Sequence, residues 1–294
     1  MRLVTHNDFD GITCAVLIDS VEEIDFITFE DPSRVQKREV DITKDDILTD
    51  LPYHHNCAMW FDHHSSNKPP EGAKFEGAFR VAPSAARVVF EFYDNPYLDK
   101  FKELVDAADK IDSGNITLED VKSPKGYQLL SITLESDDIR EDHDYRRRVI
   151  EWLERKKIDE ILKIPEVVER FTKKLGDYEK FRQEVPKYTK LEGNICFTDM
   201  RGVKDPPKGP SYQIYSLWPD CNVSMKAFDF LNSPNEVGIS VGHNVFNKTC
   251  KVDIGALMKK YGGGGHFGVG GCRVKRIDSD KVIGEIIGEL KGKA

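Results

Sequence analysis

The 294-residue chain is short of several things, and each absence narrows its chemistry. It lacks an excess of positive charge. Asp and Glu outnumber Lys and Arg, 51 to 43, for a net charge of −8. A protein that tracks long nucleic acid needs broad basic surface, so that class is disfavoured, whereas a small anion held through metal ions is not. Six cysteines are scattered with no Cys-x-x-Cys pair, which reads as reduced thiols and not as a disulfide framework. No apolar run approaches the length of a membrane span. No leader is expected either, because Met1-Arg2-Leu3-Val4-Thr5 enters a strand-like run directly. These features together predict a cytoplasmic protein with no membrane partner. No internal repeat or low-complexity tract is evident, and the length suits two domains.

What is present centres on Phe61-Asp62-His63-His64. The apolar segment 56–61 before it predicts a buried strand, and the polar, proline-containing stretch after it predicts a loop. An acid and two imidazoles therefore sit where a strand ends, the edge at which open α/β sheets bind ligands. Taken alone, such a triplet is more often surface polarity, but the arrangement recurs upstream. Leu3-Val4-Thr5 predicts a strand, His6-Asn7-Asp8-Phe9-Asp10-Gly11 a polar turn, and 12–20 a helix. On an extended backbone His6, Asp8 and Asp10 would alternate and point the same way. Imidazole with carboxylates suits Mn²⁺, Fe²⁺, Co²⁺ or Zn²⁺. The plain alternative, acids favoured at a helix N-terminus, accounts for Asp10 but not for His6.

Strands are predicted over 24–29 and 47–49, the second ending in Asp50, with loop and edge over 34–46. Because parallel strands align their C-terminal ends, these carboxylates can cluster although far apart in sequence. His54 and His55 lie in a polar turn and are read as non-ligands. Ser84 is the expected N-cap of a helix over Ala85–Tyr93, and a second helix is predicted over 98–110. Around its end Asp106, Asp109 and Asp112 are spaced by three. That is usually a solvated face, yet Ala107, Ala108 and Ile111 make it partly apolar, and one of the acids could complete a metal cluster.

From 137 to 190 charged residues dominate with apolar residues at helical spacing, which predicts connecting amphipathic helices. From 191 strands are predicted over 194–199, 213–217, 223–228 and 237–241. The run Gly262-Gly263-Gly264-Gly265-His266 then lies between a helix end and a strand. Successive glycines there are read as a nest of N–H groups for an anion, with His266 as a further donor. The alternative, a helix C-cap with a tight turn, needs only one glycine.

Together these residues resemble the DHH superfamily of phosphoesterases, in the branch with a C-terminal DHHA1 domain. His6-Asn7-Asp8-Phe9-Asp10-Gly11 matches the first motif, Asp50 the second and Asp62-His63-His64 the third. Asp109 best matches the aspartate of the fourth, with Asp112 next, and Gly263-Gly264-Gly265-His266 matches the DHHA1 signature. The motifs span nearly the whole chain in the expected order. The resemblance implies an α/β fold: a parallel-sheet catalytic domain (1–136), a helical connector (137–190) and a smaller α/β DHHA1 domain with a mixed sheet (191–294) for substrate binding. It implies two divalent cations, usually Mn²⁺, with His6, Asp8 and Asp50 at one and Asp10, Asp50, His63 and Asp109 at the other. Asp62 would orient the site and His64 would face the substrate phosphate. Two close cations activate a water and neutralise phosphoryl oxygens during in-line attack.

Family members that degrade short RNA carry a Ser-x-Arg-Ser strand. Here that strand reads Ser240-Val241-Gly242-His243, with glycine in place of arginine. Ser240 and His243 are therefore counted with Gly263, Gly264, Gly265 and His266 as substrate-binding residues, and Asn244, Arg201 or Arg273 could supply what the arginine does elsewhere. The activity implied is a Mn-dependent phosphodiesterase for short oligonucleotides or linear dinucleotides, working in an interdomain cleft. The alternative is a phosphoanhydride or phosphomonoester hydrolase of the exopolyphosphatase-like or 3′-phosphoadenosine-5′-phosphate phosphatase kind. The implied partner is a small phosphorylated substrate or short oligonucleotide, and a homodimer is a plausible assembly.

Overall fold

The computed structural model describes residues 1–135 and 142–291, which form two compact units. The first comprises 1–115 and 124–171, the second 116–123 and 172–294. The expected boundary at 136–137 lies outside the described residues. The stretch 137–190, expected as a connector, divides between the units and does not stand as a body of its own.

The first unit is built on β1 (Arg2–Thr5), α1 (Phe9–Asp19), β2 (Phe26–Phe29), α2 (Pro32–Gln36), β3 (Asp46–Thr49), β4 (Met59–Asp62), β5 (Glu76–Phe79), α3 (Ala85–Tyr93) and α4 (Lys102–Asp112). α5 (Leu118–Lys122) belongs to the second unit, and the first resumes with α6 (Gly126–Ile132), α7 (His143–Arg155) and α8 (Ile158–Ile161). All five strands are parallel in the order β2-β1-β3-β4-β5. The order reverses at β1, so the crevice at the C-terminal ends of β1 and β3 is a topological switch point.

Alternation along each strand separates two cores. Leu3, Ile47 and Phe61 face a large cluster made with α1, α3, α4 and α7, whereas Val4, Leu48 and Trp60 face a smaller one. In the smaller core Trp60 stacks on Phe79 at 5.3 Å. α7 buries Val149, Ile150 and Leu153 in the large cluster, which is why this helix belongs to the first unit. The predicted loop at 34–46 begins with α2, which Asp31 caps through Ser33 N at 2.7 Å.

α9 (Pro165–Glu184) begins in the first unit and ends in the second, which continues with β6 (Thr189–Glu192), β7 (Ile195–Asp199), α10 (Ile214–Leu217), β8 (Val223–Phe230), β9 (Ser233–His243), α11 (Ile254–Lys259), β10 (Gly264–His266), β11 (Val269–Lys275) and α12 (Ser279–Leu290). The sheet order is β10-β11-β9-β8-β7-β6, mixed through the parallel β7–β8 pair. The segment 213–217, expected as a strand, is helical at α10. Ile214 and Tyr215 bury together against Cys196 and Cys221, and so short an apolar run is compatible with either state. α11 and α12 cover one sheet face through Ile254, Leu257, Met258, Ile283, Ile286 and Leu290. Among the described residues no helix is long and apolar enough to cross a membrane.

Candidate active site

Three loops leaving the C-terminal ends of β1, β3 and β4 bring the motifs together. His6 follows β1, but the chain does not stay extended as the alternation predicted. It turns into α1 at Phe9, with Asp8 as the N-cap accepting from Gly11 N at 2.9 Å. The turn is tight enough that a Cβ at Gly11 would lie 2.1 Å from the His6 carbonyl oxygen. The glycine closing the first motif is thus a steric requirement of the β1–α1 turn. Gly11→Ala is expected to destabilise the protein by about 3 kcal/mol, read from urea unfolding; a loss below about 0.5 kcal/mol would contradict that steric reading.

The turn sends His6 and Asp8 one way and Asp10 another. His6 Nδ1 is 2.9 Å from Asp8 Oδ2 and 3.3 Å from Asp50 Oδ2. Asp10 is buried and accepts the amides of Ala85 and Ala86 at 2.6 and 2.9 Å, the first N–H groups of α3. A carboxylate at a helix N-terminus is favoured there, so the dipole explanation of Asp10 applies, on the neighbouring helix and not its own.

Asp50 sits at the centre. Its backbone is left-handed (φ 55°), a conformation uncommon outside glycine but tolerated by Asp, and its amide donates to Phe61 O at 2.9 Å. His63 Nε2 lies 3.7 Å from Asp50 Oδ1, 3.8 Å from Asp10 Oδ2 and 3.3 Å from Asp112 Oδ2. His63 Nδ1 donates to Ala82 O at 2.9 Å, which turns Nε2 inward. Asp62 lies beneath: Oδ1 accepts from the amides of His63 and His64 and from His64 Nδ1 at 2.9 Å, and Oδ2 accepts from Asn67 Nδ2 at 2.6 Å.

The α4 aspartate that joins this cluster is Asp112, at the end of the helix. Asp109, the expected ligand, is one turn back and faces α3. Arg87 Nε and Nη2 hold its Oδ2 at 2.9 and 2.7 Å, and Ser84 Oγ donates to its Oδ1 at 2.6 Å. Asp106 also pairs with Arg87, at 2.6 Å. Asp109 is in none of the groups of ligand-type side chains around His63. The sequence reading passed over Arg87, whose partners come from another helix, and Arg146, a fully buried residue of α7 that donates from Nε to Asn7 O at 3.1 Å and so grips the first motif's loop. His54 and His55 stack on each other at 4.9 Å away from these ligand groups.

The electrostatics describe a site with too much negative charge of its own. Burial together with the Asp8 carboxylate drives the Asp50 carboxyl up to about 8 and that of Asp112 to about 6. Burial and the Asp50 carboxylate hold Asp10 well above the usual range. His6 is opposed by burial, but Asp8 and Asp50 carry it up to about 11. His64 is raised to about 9, chiefly by its bond to Asp62. Two buried atoms, Asp50 Oδ1 and His63 Nε2, have no hydrogen-bond partner. Carboxylate and imidazole atoms in three overlapping groups (His6, Asp8, Asp50; Asp50, Asp62, His63, His64; Asp10, His63, Asp112) lie within 4.8 Å of one another in each group. Orphaned acceptors and mutual repulsion of this kind fit divalent cations, which hard oxygen and imidazole ligands hold.

The glycine run departs from the nest expected of it. Gly262 (φ 75°) turns the chain two residues beyond the Lys260 C-cap of α11, and the Gly263 amide is spent on Met258 O at 3.0 Å. Gly264–His266 then form an edge strand paired to β11. A Cβ on Gly263 would lie 2.1 Å from Gly271 O, and one on Gly265 2.2 Å from Val269 O. The glycines permit backbone-to-backbone packing, and the cap-and-turn alternative describes their start. His266 is exposed. His243 Nε2 donates to Val252 O at 2.9 Å. Arg201 is held by Asp199 and Asp280, each at 2.6 Å, and Arg273 by Glu236 at 3.1 Å, so both are already paired.

Among solved structures, the chain is similar over its whole length to the pGpG-specific phosphodiesterase PggH from Vibrio cholerae: 32% identity, 100% of this chain and 99% of that one, TM-score 0.87. The chain belongs to the DHH superfamily of phosphoesterases. The two-unit DHH/DHHA1 architecture agrees with this, and the chain is a phosphodiesterase of that family. More distant likenesses support the fold alone. One is the DHH domain of a member of the s1p family of ribosomal proteins (16% identity, 100% of this chain and 87% of that one, TM-score 0.64). Another is RecJ in complex with Mn²⁺ from Thermus thermophilus (12% identity, 98% of this chain and 51% of that one, TM-score 0.56). No family model and no curated protein matches the chain.

Proposed function

We propose that this DHH enzyme hydrolyses linear dinucleotides of the pGpG type, with divalent cations at the cluster around Asp50. The observation that carries the substrate reading is the likeness, over the whole of both chains, to a protein described as pGpG-specific. His6, Asp8 and Asp50 would hold one cation, and Asp10, Asp50, His63 and Asp112 the other, with Mn²⁺ the first candidate. Such ions, when bound, activate water and neutralise phosphoryl oxygens.

The chain's own residues do the rest. Asp62 pins His64 through Nδ1 and leaves Nε2 for the substrate. The bond to Asp62 favours the imidazolium form of His64, which donates from Nε2 to the scissile phosphate. Water adds to phosphorus, the bond to the 3′-oxygen breaks, that oxygen takes up a proton, and two mononucleotides leave. His266, exposed on the edge strand, is the candidate donor to a second phosphate.

The test is a Mn²⁺-supplemented panel of pGpG, a five-mer RNA, polyphosphate, pyrophosphate and 3′-phosphoadenosine-5′-phosphate. Mononucleotide release, fastest from pGpG, is the expected result. Phosphate released from polyphosphate alone would overturn the reading in favour of an anhydride hydrolase.

Cation binding has a separate readout. A carboxyl whose folded pKa is raised keeps a proton that the unfolded chain has given up. Its contribution is therefore present at low pH and lost as pH climbs from about 4 towards the folded values near 6 and 8. A cation replaces the missing protons. Mn²⁺ should then raise Tm more at about pH 8 than at about pH 5.5, and an equal rise at both would contradict the assignment.

A further inference from the structure

The second unit carries a hollow of about 170 Å³ on the sheet face opposite α11 and α12. Its floor comes from neighbouring strands. Ser224 pairs with Gly242 and Lys226 with Ser240 across β8 and β9, so all four residues share one face. Phe181, Ile214 and Val269 are among its walls. The hollow exists because of glycine: a Cβ at position 242 would find its nearest neighbours, Ser224 Oγ and Val269 Cγ2, only at 4.0 Å. Where short-RNA members of the family carry arginine, this chain has an opening.

The charge of the hollow is Lys226. Its ammonium lies 5.3 Å from the Phe228 ring, and no carboxylate pairs with it among the described residues. Lys226 lines the hollow yet stays open to solvent, so its cation is available to a ligand and carries no counter-charge. The serines add hydroxyls: Tyr215 gives its one proton to Gly242 O at 2.7 Å and takes that of Ser224 at 2.8 Å, which leaves Ser224 as an acceptor and Ser240 as the hydroxyl donor. Apolar walls argue against a phosphate, which would want converging donors on all sides. They suit a planar base with acceptors along one edge. Guanine offers N7 and O6 there, and lysine is a standard partner for that pair; adenine offers N7 beside an amino donor, which an ammonium repels.

We infer that this hollow is a guanine-binding pocket and that Lys226 is the residue by which the enzyme prefers guanine to adenine. The inference rests on the dinucleotide reading of the function, and it extends that reading to a specificity determinant.

The test joins binding to turnover. Calorimetric titration of the cation-free protein with GMP and AMP should show a preference for GMP of about tenfold or more. Lys226→Met should bring the ratio to within about twofold, and the same collapse should appear in kcat/KM for pGpG against pApA, through KM. Gly242→Val fills the opening without a local clash, so it should abolish binding of both mononucleotides while Tm is kept.

If Lys226→Met hydrolyses pGpG with the preference intact, the pocket assignment is overturned and the dinucleotide reading stands. If wild type hydrolyses neither dinucleotide yet binds GMP in a Lys226-dependent manner, the pocket stands and the substrate reading fails. Failure of wild type to bind GMP overturns the pocket.

Discussion

Replacing Asp50 with asparagine should lower turnover on the order of 10⁴-fold, the scale at which catalytic groups that act as a unit fail together. Asp50 Oδ1 is an orphaned buried acceptor, and its two oxygens face His6 on one side and His63 and His64 on the other. Among the described residues no other carboxylate is shared in this way between the His6 and His63 groups. Asparagine isolates the charge: it tolerates the left-handed backbone at this position and keeps the side chain's shape. The cation-free variant should be at least as stable as wild type at about pH 8, because a repelling carboxylate is gone, and the Mn²⁺-induced rise in Tm should shrink or vanish. Near-normal turnover would sink the assignment of Asp50 as the shared ligand.

The second large effect is a contrast three residues apart on α4. Asp112→Asn should cost on the order of 10³-fold or more in kcat with little change in cation-free stability, since Asp112 reaches into the His63 group. Asp109→Asn should do the opposite in kind. Arg87 would lose the charge it grips with two nitrogens, and the single oxygen of asparagine could serve Arg87 or Ser84, the N-cap of α3, but not both. A stability loss of about 1–3 kcal/mol is expected, with activity falling about 10- to 100-fold because the α3 amides that hold Asp10 are displaced. Such a result would make Asp109 a positioning residue. Metal stoichiometry separates the two: it should fall in Asp112→Asn and stay at the wild-type value in Asp109→Asn, and the reverse pattern would restore Asp109 as the ligand.

The pair also shows where sequence reasoning stops. Spacing placed Asp106, Asp109 and Asp112 on one helix and permitted any of them to face the site. The choice was made by Arg87 on another helix, which draws Asp106 and Asp109 away and leaves Asp112 at the helix end. The glycine run is a similar case. Four consecutive glycines signal close approach of something, and local sequence does not say whether that is an anion or another strand. Here it is the backbone of β11, met at Gly263 and Gly265.

The sequence by itself determined the alternation of short apolar runs and polar turns that makes a parallel sheet, the strand ends bearing His6, Asp50 and Asp62-His63-His64, and the Ser84 cap of α3. All of these rest on interactions between residues close in the chain. Tertiary structure alone decided which acid joins His63, how Asp10 is held by the amides of a helix 75 residues away, that α7 packs on the catalytic unit, and that Gly242 leaves a hollow beside Lys226. Each of those outcomes depends on what a distant segment brings into contact, and packing of that kind leaves no periodic trace in the residues it selects.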